Sequence, residues 1–162
     1  MGLSLALPTK RPTVSELWLT MSRMPAGKTL FSKLIGTMAP YTGSIPFTVL
    51  EARVGHATVE LRDTKKVRNH LNSVHAIALM NLGEVSTGLA MMFGIDGRGR
   101  GIITHLEMDY VAKARGNIRA VCDAKVPDTS GSHDCEVEAL LKDTSGQIVA
   151  VAHAVWRVQI DG

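Results

Sequence analysis

The stretch VHAIALMNLGEVSTGLAMMFGI, Val74 to Ile95, decides the fold. It is apolar nearly all round and contains no proline. It therefore reads as a long helix over Val74–Phe93, enclosed on every side. Its length also suits a bilayer span. Asn81 and Glu84 sit near its centre, however, and a carboxylate at mid-bilayer is costly. The expectation is a buried helix in a soluble protein with no membrane insertion.

Outward from this helix the periodicity changes. Downstream, a glycine- and arginine-rich loop runs from Gly94 to Gly101. It lacks the G-x-G-x-x-G spacing of a dinucleotide site and follows a helix, not a strand. Four strands are then expected, over 102–112, 117–126, 135–142 and 148–156, separated by polar turn segments. Upstream, Phe47–Val54 and Ala57–Leu61 alternate as two strands joined by a turn at Gly55. Before them, two short helices are expected over 15–24, capped by Ser15, and over 28–38. Leu30, Phe31, Leu34, Ile35 and Met38 fall on one face of the second. Residues 1–12 read as a loose tail.

Strands that do not alternate with helices indicate an α+β fold with an antiparallel sheet. A curved sheet wrapped around the long helix would enclose it. The expected organisation is an N-terminal tail with short helices over 1–44 and a main domain over 45–162.

Composition narrows the function. The chain has 162 residues, 45% hydrophobic, so it can build a core without disulfide or metal staples. Only 4% of residues are aromatic, which argues against a stacking platform for single-stranded nucleic acid. The 18 Lys and Arg residues exceed the 15 Asp and Glu residues by three, but they are scattered rather than gathered in a stripe. No nucleic-acid partner is expected. Cys122 and Cys135 form no CxxC motif and complete no zinc ligand set with the histidines, so no metal is expected. Two isolated thiols suit a reducing compartment, and the N-terminus has no basic segment followed by a long apolar core. A cytoplasmic location follows as an expectation.

The segment Asn69-His-Leu-Asn-Ser-Val-His75-Ala76, with Glu84 beyond it, carries chemistry. Its residues and the order of elements resemble the hotdog-fold acyl-CoA thioesterases, most nearly the phenylacetyl-CoA-thioesterase-like branch. In that branch an Asn precedes a His-Gly-Gly at the helix start, and a helix carboxylate follows. Asn69, His75-Ala76 and Glu84 match at intervals of six and nine residues. The likeness in element order spans roughly 45–158. It implies a curved antiparallel sheet around one central helix, with the helices before Phe47 added to the minimal fold. It also implies an active site at a dimer interface, with a dimer of dimers as a further form, and no cofactor.

The spacing has a physical consequence. Nine helical residues advance roughly 13 Å and turn about half a circle. His75-Ala76 and Glu84 of one chain, nine residues apart counted from His75, therefore cannot both touch the same carbonyl, and such a site combines two chains. By the resemblance, the Ala76 N–H at the positive helix end would hold the oxyanion. Glu84 of the other chain would act as general base on water or as nucleophile. Asn69 would orient the water or the carboxylate, and His75 would fix the helix start. Thr104 lies near where relatives carry a helping hydroxyl. Arg98 and Arg100, with Lys113 and Arg115, would form a basic mouth for the CoA phosphates. The chain departs from the family at Ala76 and Ile77, which stand where it has glycines; both side chains narrow the approach of a thioester.

Two other readings belong beside this one. A hotdog dimer with a narrowed tunnel would bind an acyl chain or acyl-CoA without hydrolysing it. The fourteen-residue interval from His70 to Glu84 resembles hotdog hydroxyacyl-carrier-protein dehydratases, although the Pro/Gly-rich segment those enzymes carry is missing here.

Overall fold

The computed structural model describes residues 12–162. The expected loose tail lies outside the described residues, apart from Pro12. Three α-helices and six strands follow: α1 (Val14–Met21), α2 (Gly27–Met38), β1 (Phe47–Arg53), β2 (His56–Leu61), α3 (Ala76–Ile95), β3 (Gly99–Tyr110), β4 (Ile118–Asp123), β5 (Gly131–Lys142) and β6 (Ile148–Ile160). The strands form one antiparallel sheet in the order β1-β2-β4-β5-β6-β3.

The sheet curves around α3, which contacts all six strands. This is the hotdog fold. By length and composition α3 could cross a membrane, but most of it is buried inside the sheet. It can lie close because it meets the strands with small residues. A Cβ on Gly83 would stand 2.6 Å from that of Ala152, and one on Gly88 would stand 3.0 Å from the ring of Trp156. The Trp156 indole N–H donates to Thr87 Oγ1 at 3.1 Å, and that hydroxyl donates to the Gly83 carbonyl at 3.0 Å. The polar atoms of this contact are thus satisfied inside the core.

The N-terminal helices differ in detail from the sequence expectation. The cap of α1 is Thr13, not Ser15. Thr13 Oγ1 accepts from the Glu16 N–H, and Glu16 Oε2 accepts from the Thr13 N–H, a capping box. The Ser15 N–H donates instead to Asp96 Oδ2 at 2.6 Å, just past the end of α3. This fastens the start of α1 to the end of α3. The helix stops at Met21 because the chain turns back sharply there. A Cβ on Gly27 would fall 1.6 Å from the Met21 carbonyl oxygen, so only glycine permits the turn.

In α2 the buried stripe is narrower than the expected apolar face. Phe31 is fully buried, with its ring 5.0 Å from Trp18 and 6.5 Å from Phe93, whereas Leu30 and Met38 are exposed. The helix lies along the edge strand β1, and Ser32 Oγ accepts from the Val49 N–H at 2.8 Å.

The glycine- and arginine-rich segment is only half a loop. β3 begins at Gly99 and pairs with β6 from Gly99 opposite Ile160. A Cβ on Gly99 would meet the Gln159 carbonyl oxygen at 2.4 Å. Glycine serves close backbone approach here, not a turn. The same pairing carries β6 to Ile160 and starts β5 at Gly131, beyond their expected ends. Among the described residues, the outer edge of β3 has no strand partner.

Candidate active site

Glu84 sits at mid-helix on α3, half-buried beside an open groove of about 470 Å³. The groove is walled by α1, α2, α3 and the ends of β3 and β6, including Ile35, Met38, Leu89, Met92 and Trp156. Thr42, in a short 3-10 turn after α2, donates its hydroxyl to Glu84 Oε2 at 3.4 Å. Burial pushes the Glu84 carboxyl above its ordinary value, and the Thr42 hydroxyl pulls back part of that rise. Among the described residues no cation pairs with Glu84. A carboxylate with one hydroxyl partner and an apolar surround is poised to take a proton.

His75 caps α3. Its Nδ1 accepts from the Ile77 N–H at 3.1 Å, and its backbone N–H donates to the Val67 carbonyl at 2.8 Å. Among the described residues nothing accepts from the Ala76 N–H, which remains open at the positive end of the helix. Ile77 is exposed beside it.

Asn69 organises the loop leading into α3. Its Oδ1 accepts from the N–H groups of Leu71 and Ser73 and from the Ser73 hydroxyl, at 3.0–3.2 Å. That oxygen is committed to the loop, and the amide NH2 is what remains for a ligand. His70 is exposed in the same loop, before the start of α3 and away from Glu84 at mid-helix. Thr104 occupies the bulge of β3 and donates its hydroxyl to the Val155 carbonyl at 3.2 Å.

The four basic residues divide. Arg98 caps the end of α3, donating to the carbonyls of Gly94 and Pro127 at 2.9–3.1 Å. Arg100 is exposed at the start of β3. Lys113 and Arg115 are exposed beyond its far end, so the two pairs lie about 37 Å apart along the strand.

The turn carrying Lys113 and Arg115 is held against the start of α3. The Val74 N–H donates to the Ala114 carbonyl at 2.8 Å, and the Gly116 N–H donates to Asp63 Oδ2 at 2.9 Å. Asp63 also pairs with Arg68, at 2.7 and 3.1 Å. The Arg68 guanidinium holds the Asp63 carboxyl below its ordinary value against the opposing effect of burial. Sequence reasoning missed Asp63 and Thr42. Both lie in polar segments, and the contacts that tie them to the site, Gly116 for Asp63 and Glu84 for Thr42, come from tens of residues away.

Within one chain the two halves of the expected site stay apart, with Glu84 at the groove and Ala76, His75 and Asn69 at the helix start. The structure joins each half to opposite ends of β3. Gly101 lines the Glu84 groove, and the Tyr110 hydroxyl donates to the Ala76 carbonyl at 3.1 Å. Among the described residues no cluster of His, Cys, Asp and Glu is suited to a metal ion.

Comparison with known proteins gives the chain a family. The model of a family described as Domain of unknown function (DUF4442) matches residues 27–158. Among solved structures, the chain is similar to the structural-genomics protein APC5556, at 30% identity and a TM-score of 0.76, over 91% of this chain and 97% of that one. It is similar to PA5026 of Pseudomonas aeruginosa, a protein of unknown function described as a probable thioesterase. The identity is 18% and the TM-score 0.69, over 85% and 97% of the two chains. A mutant of the thioesterase enzyme SAV0944 of Staphylococcus aureus is similar at 16% identity and a TM-score of 0.65, over 74% and 98%. No protein of curated function matches the sequence. At 16–18% identity these last two likenesses speak for the fold alone. The match over residues 27–158 makes the chain a member of the DUF4442 family, built on a hotdog fold.

Proposed function

We propose that the protein hydrolyses acyl-CoA thioesters at a site shared by two copies of the chain. The observation that carries this reading is Glu84, a half-buried carboxylate with raised proton affinity and, among the described residues, only Thr42 as partner, at the edge of an apolar groove.

The free edge of β3 supplies the second half. Antiparallel pairing of this edge with its own copy brings the Tyr110 end of one β3 beside the Gly101 end of the other. The open Ala76 N–H of one chain then approaches the Glu84 groove of its neighbour. The same pairing brings Arg100 of one chain toward Lys113 and Arg115 of the other, as a basic mouth for phosphates. The homodimer is thus the working unit, and pairing of dimers would leave this site unchanged.

Glu84 takes a proton from water, and the hydroxide adds to the thioester carbonyl. The Ala76 N–H stabilises the oxyanion. On collapse the C–S bond breaks, and the leaving thiolate takes the proton back from Glu84. The products are a carboxylic acid and free CoA.

Thiol release from a panel of acyl-CoAs tests the reading. Wild type should release thiol, and Glu84→Gln should lose about 10²-fold or more, as expected for general-base catalysis. Equal rates for the two proteins on every substrate would defeat the proposal. Acyl-CoA binding without turnover would instead favour a non-catalytic carrier. Hydration of an enoyl thioester that depends on His70 and Glu84 would favour a dehydratase.

A further inference from the structure

The groove beside Glu84 has a wall that the sheet and α3 do not supply. Val14 of α1 and Ile35 and Met38 of α2 face Leu89 and Met92 of α3 across it. Among the described residues, polar side chains line it at one place only, where Glu84 meets Thr42. The indole N–H of Trp156 is already given to Thr87. Among the described residues, everything beyond that polar end is aliphatic, thioether, glycine or the body of the indole.

The direction of the groove follows from its lining. The end of α2 leads into Thr42, so Met38 lies at the polar end and Ile35 one turn further away. Val14 marks the distal end, because the adjacent Ser15 N–H is bonded to Asp96 past the end of α3. Met92 lies over Gly101 there, since a Cβ on that glycine would come 2.5 Å from Met92 Cε. From Glu84 to Met92 the helix advances about 12 Å. An extended chain advances roughly 1.2 Å per bond, so about ten carbons fit.

We propose that the α1–α2 arm forms the acyl subsite, with Met92 at its distal end setting the length of an unbranched aliphatic chain of about ten carbons and Ile35 lining it part-way along. The inference rests on the thioester reading for the identity of the polar end. It concerns a different part of the molecule, the arm that precedes the sheet.

Two measurements keep the readings apart. The first is the affinity of full-length Glu84→Gln for straight-chain acyl-CoAs of four to sixteen carbons, by calorimetry. Affinity should rise about fourfold per methylene and level off at about ten carbons. Adding Ile35→Phe should move the plateau to shorter chains, and adding Met92→Ala should move it to longer ones. The thermal midpoint of each variant reports that it is folded. The second measurement is thiol release by the wild-type protein with the same series. A chain-length plateau that moves in opposite directions in the two variants supports the subsite, even where thiol release is absent; in that case hydrolysis fails and the subsite stands. A flat affinity series, an unmoved plateau in both folded variants, or tighter binding of phenylacetyl-CoA than of decanoyl-CoA overturns the subsite, whatever the turnover.

Discussion

The Thr42 hydroxyl and Glu84 Oε2 lie 3.4 Å apart, although 42 residues separate them in sequence. One is in a 3-10 turn outside the sheet and the other is at the middle of the core helix. Their contact ties the N-terminal arm to the carboxylate proposed to do the chemistry.

Removing the Thr42 hydroxyl leaves burial alone to act on Glu84. Burial raises the proton affinity of this carboxyl, and the Thr42 hydrogen bond opposes the rise. In Thr42→Val the acid limb of the pH profile of kcat/KM should move to higher pH, and Thr42→Ser should restore it. A limb that stays in place would mean that Thr42 does not govern the base.

Glu84 should also weaken the fold at neutral pH. Its folded-state proton affinity exceeds the unfolded one, so folding favours the protonated form. Below the ordinary value of 4.5 the group carries no penalty, and the penalty grows as pH rises from there through the raised folded value. Glu84→Gln should therefore raise the thermal midpoint at pH 7, with the gain disappearing near pH 4. Denaturation scans at the two pH values check this, and a gain of equal size at both would contradict it.

Thr87 is the acceptor for the buried indole N–H of Trp156. Thr87→Val keeps the shape and removes the acceptor, leaving that N–H unpaired in the core. A loss of about 1–3 kcal/mol is expected from chemical denaturation. Thr87→Ser should lose less, because the hydroxyl remains.

The outer edge of β3 carries Ile102, which is 65% exposed. Charge on an edge strand opposes pairing with another strand. Ile102→Lys adds to the positive charge of Arg100 and should shift the protein toward monomer in sedimentation, with thiol release falling in parallel. A dimer of unchanged strength and full activity would rule out this edge as the interface.

The two cysteines should react differently. Burial, with the charges of Asp123 and Glu138, pushes the Cys122 thiol up to about 12. Cys135 is only half-buried. A thiol reagent at pH 8 should titrate at most one group per native chain and two after denaturation. Reaction of Cys122 at the rate of a free thiol would show that β4 opens readily.

Elements with strong periodicity were legible in the sequence, and their limits were not. The apolar run around Glu84 announces α3 because nothing in it suits solvent or a turn. The strands announce themselves by alternation. The limits of β3, β5 and β6 depend on one another, since Gly99 and Gly131 both pair with Ile160. No local signal carries that. Leu30 and Met38 have helical spacing, yet they stay outside the core because α2 lies on a sheet edge. From the sequence Arg98 is expected beside Arg100 in a basic mouth for phosphates. In the fold its guanidinium meets the carbonyls of Gly94 and Pro127.

The sequence by itself determined that one long helix must be enclosed by an antiparallel sheet. It also determined that this helix buries a carboxylate and that the helix start and Glu84 cannot serve one carbonyl. These follow from hydrophobic burial and helical geometry, which act locally. Only the tertiary structure decided that Thr42 meets Glu84, that Asp63 fastens the basic turn to the helix start, and that the N-terminal helices wall the groove. Those contacts join segments far apart in the chain, and their energy is gained only once the sheet has closed around the helix.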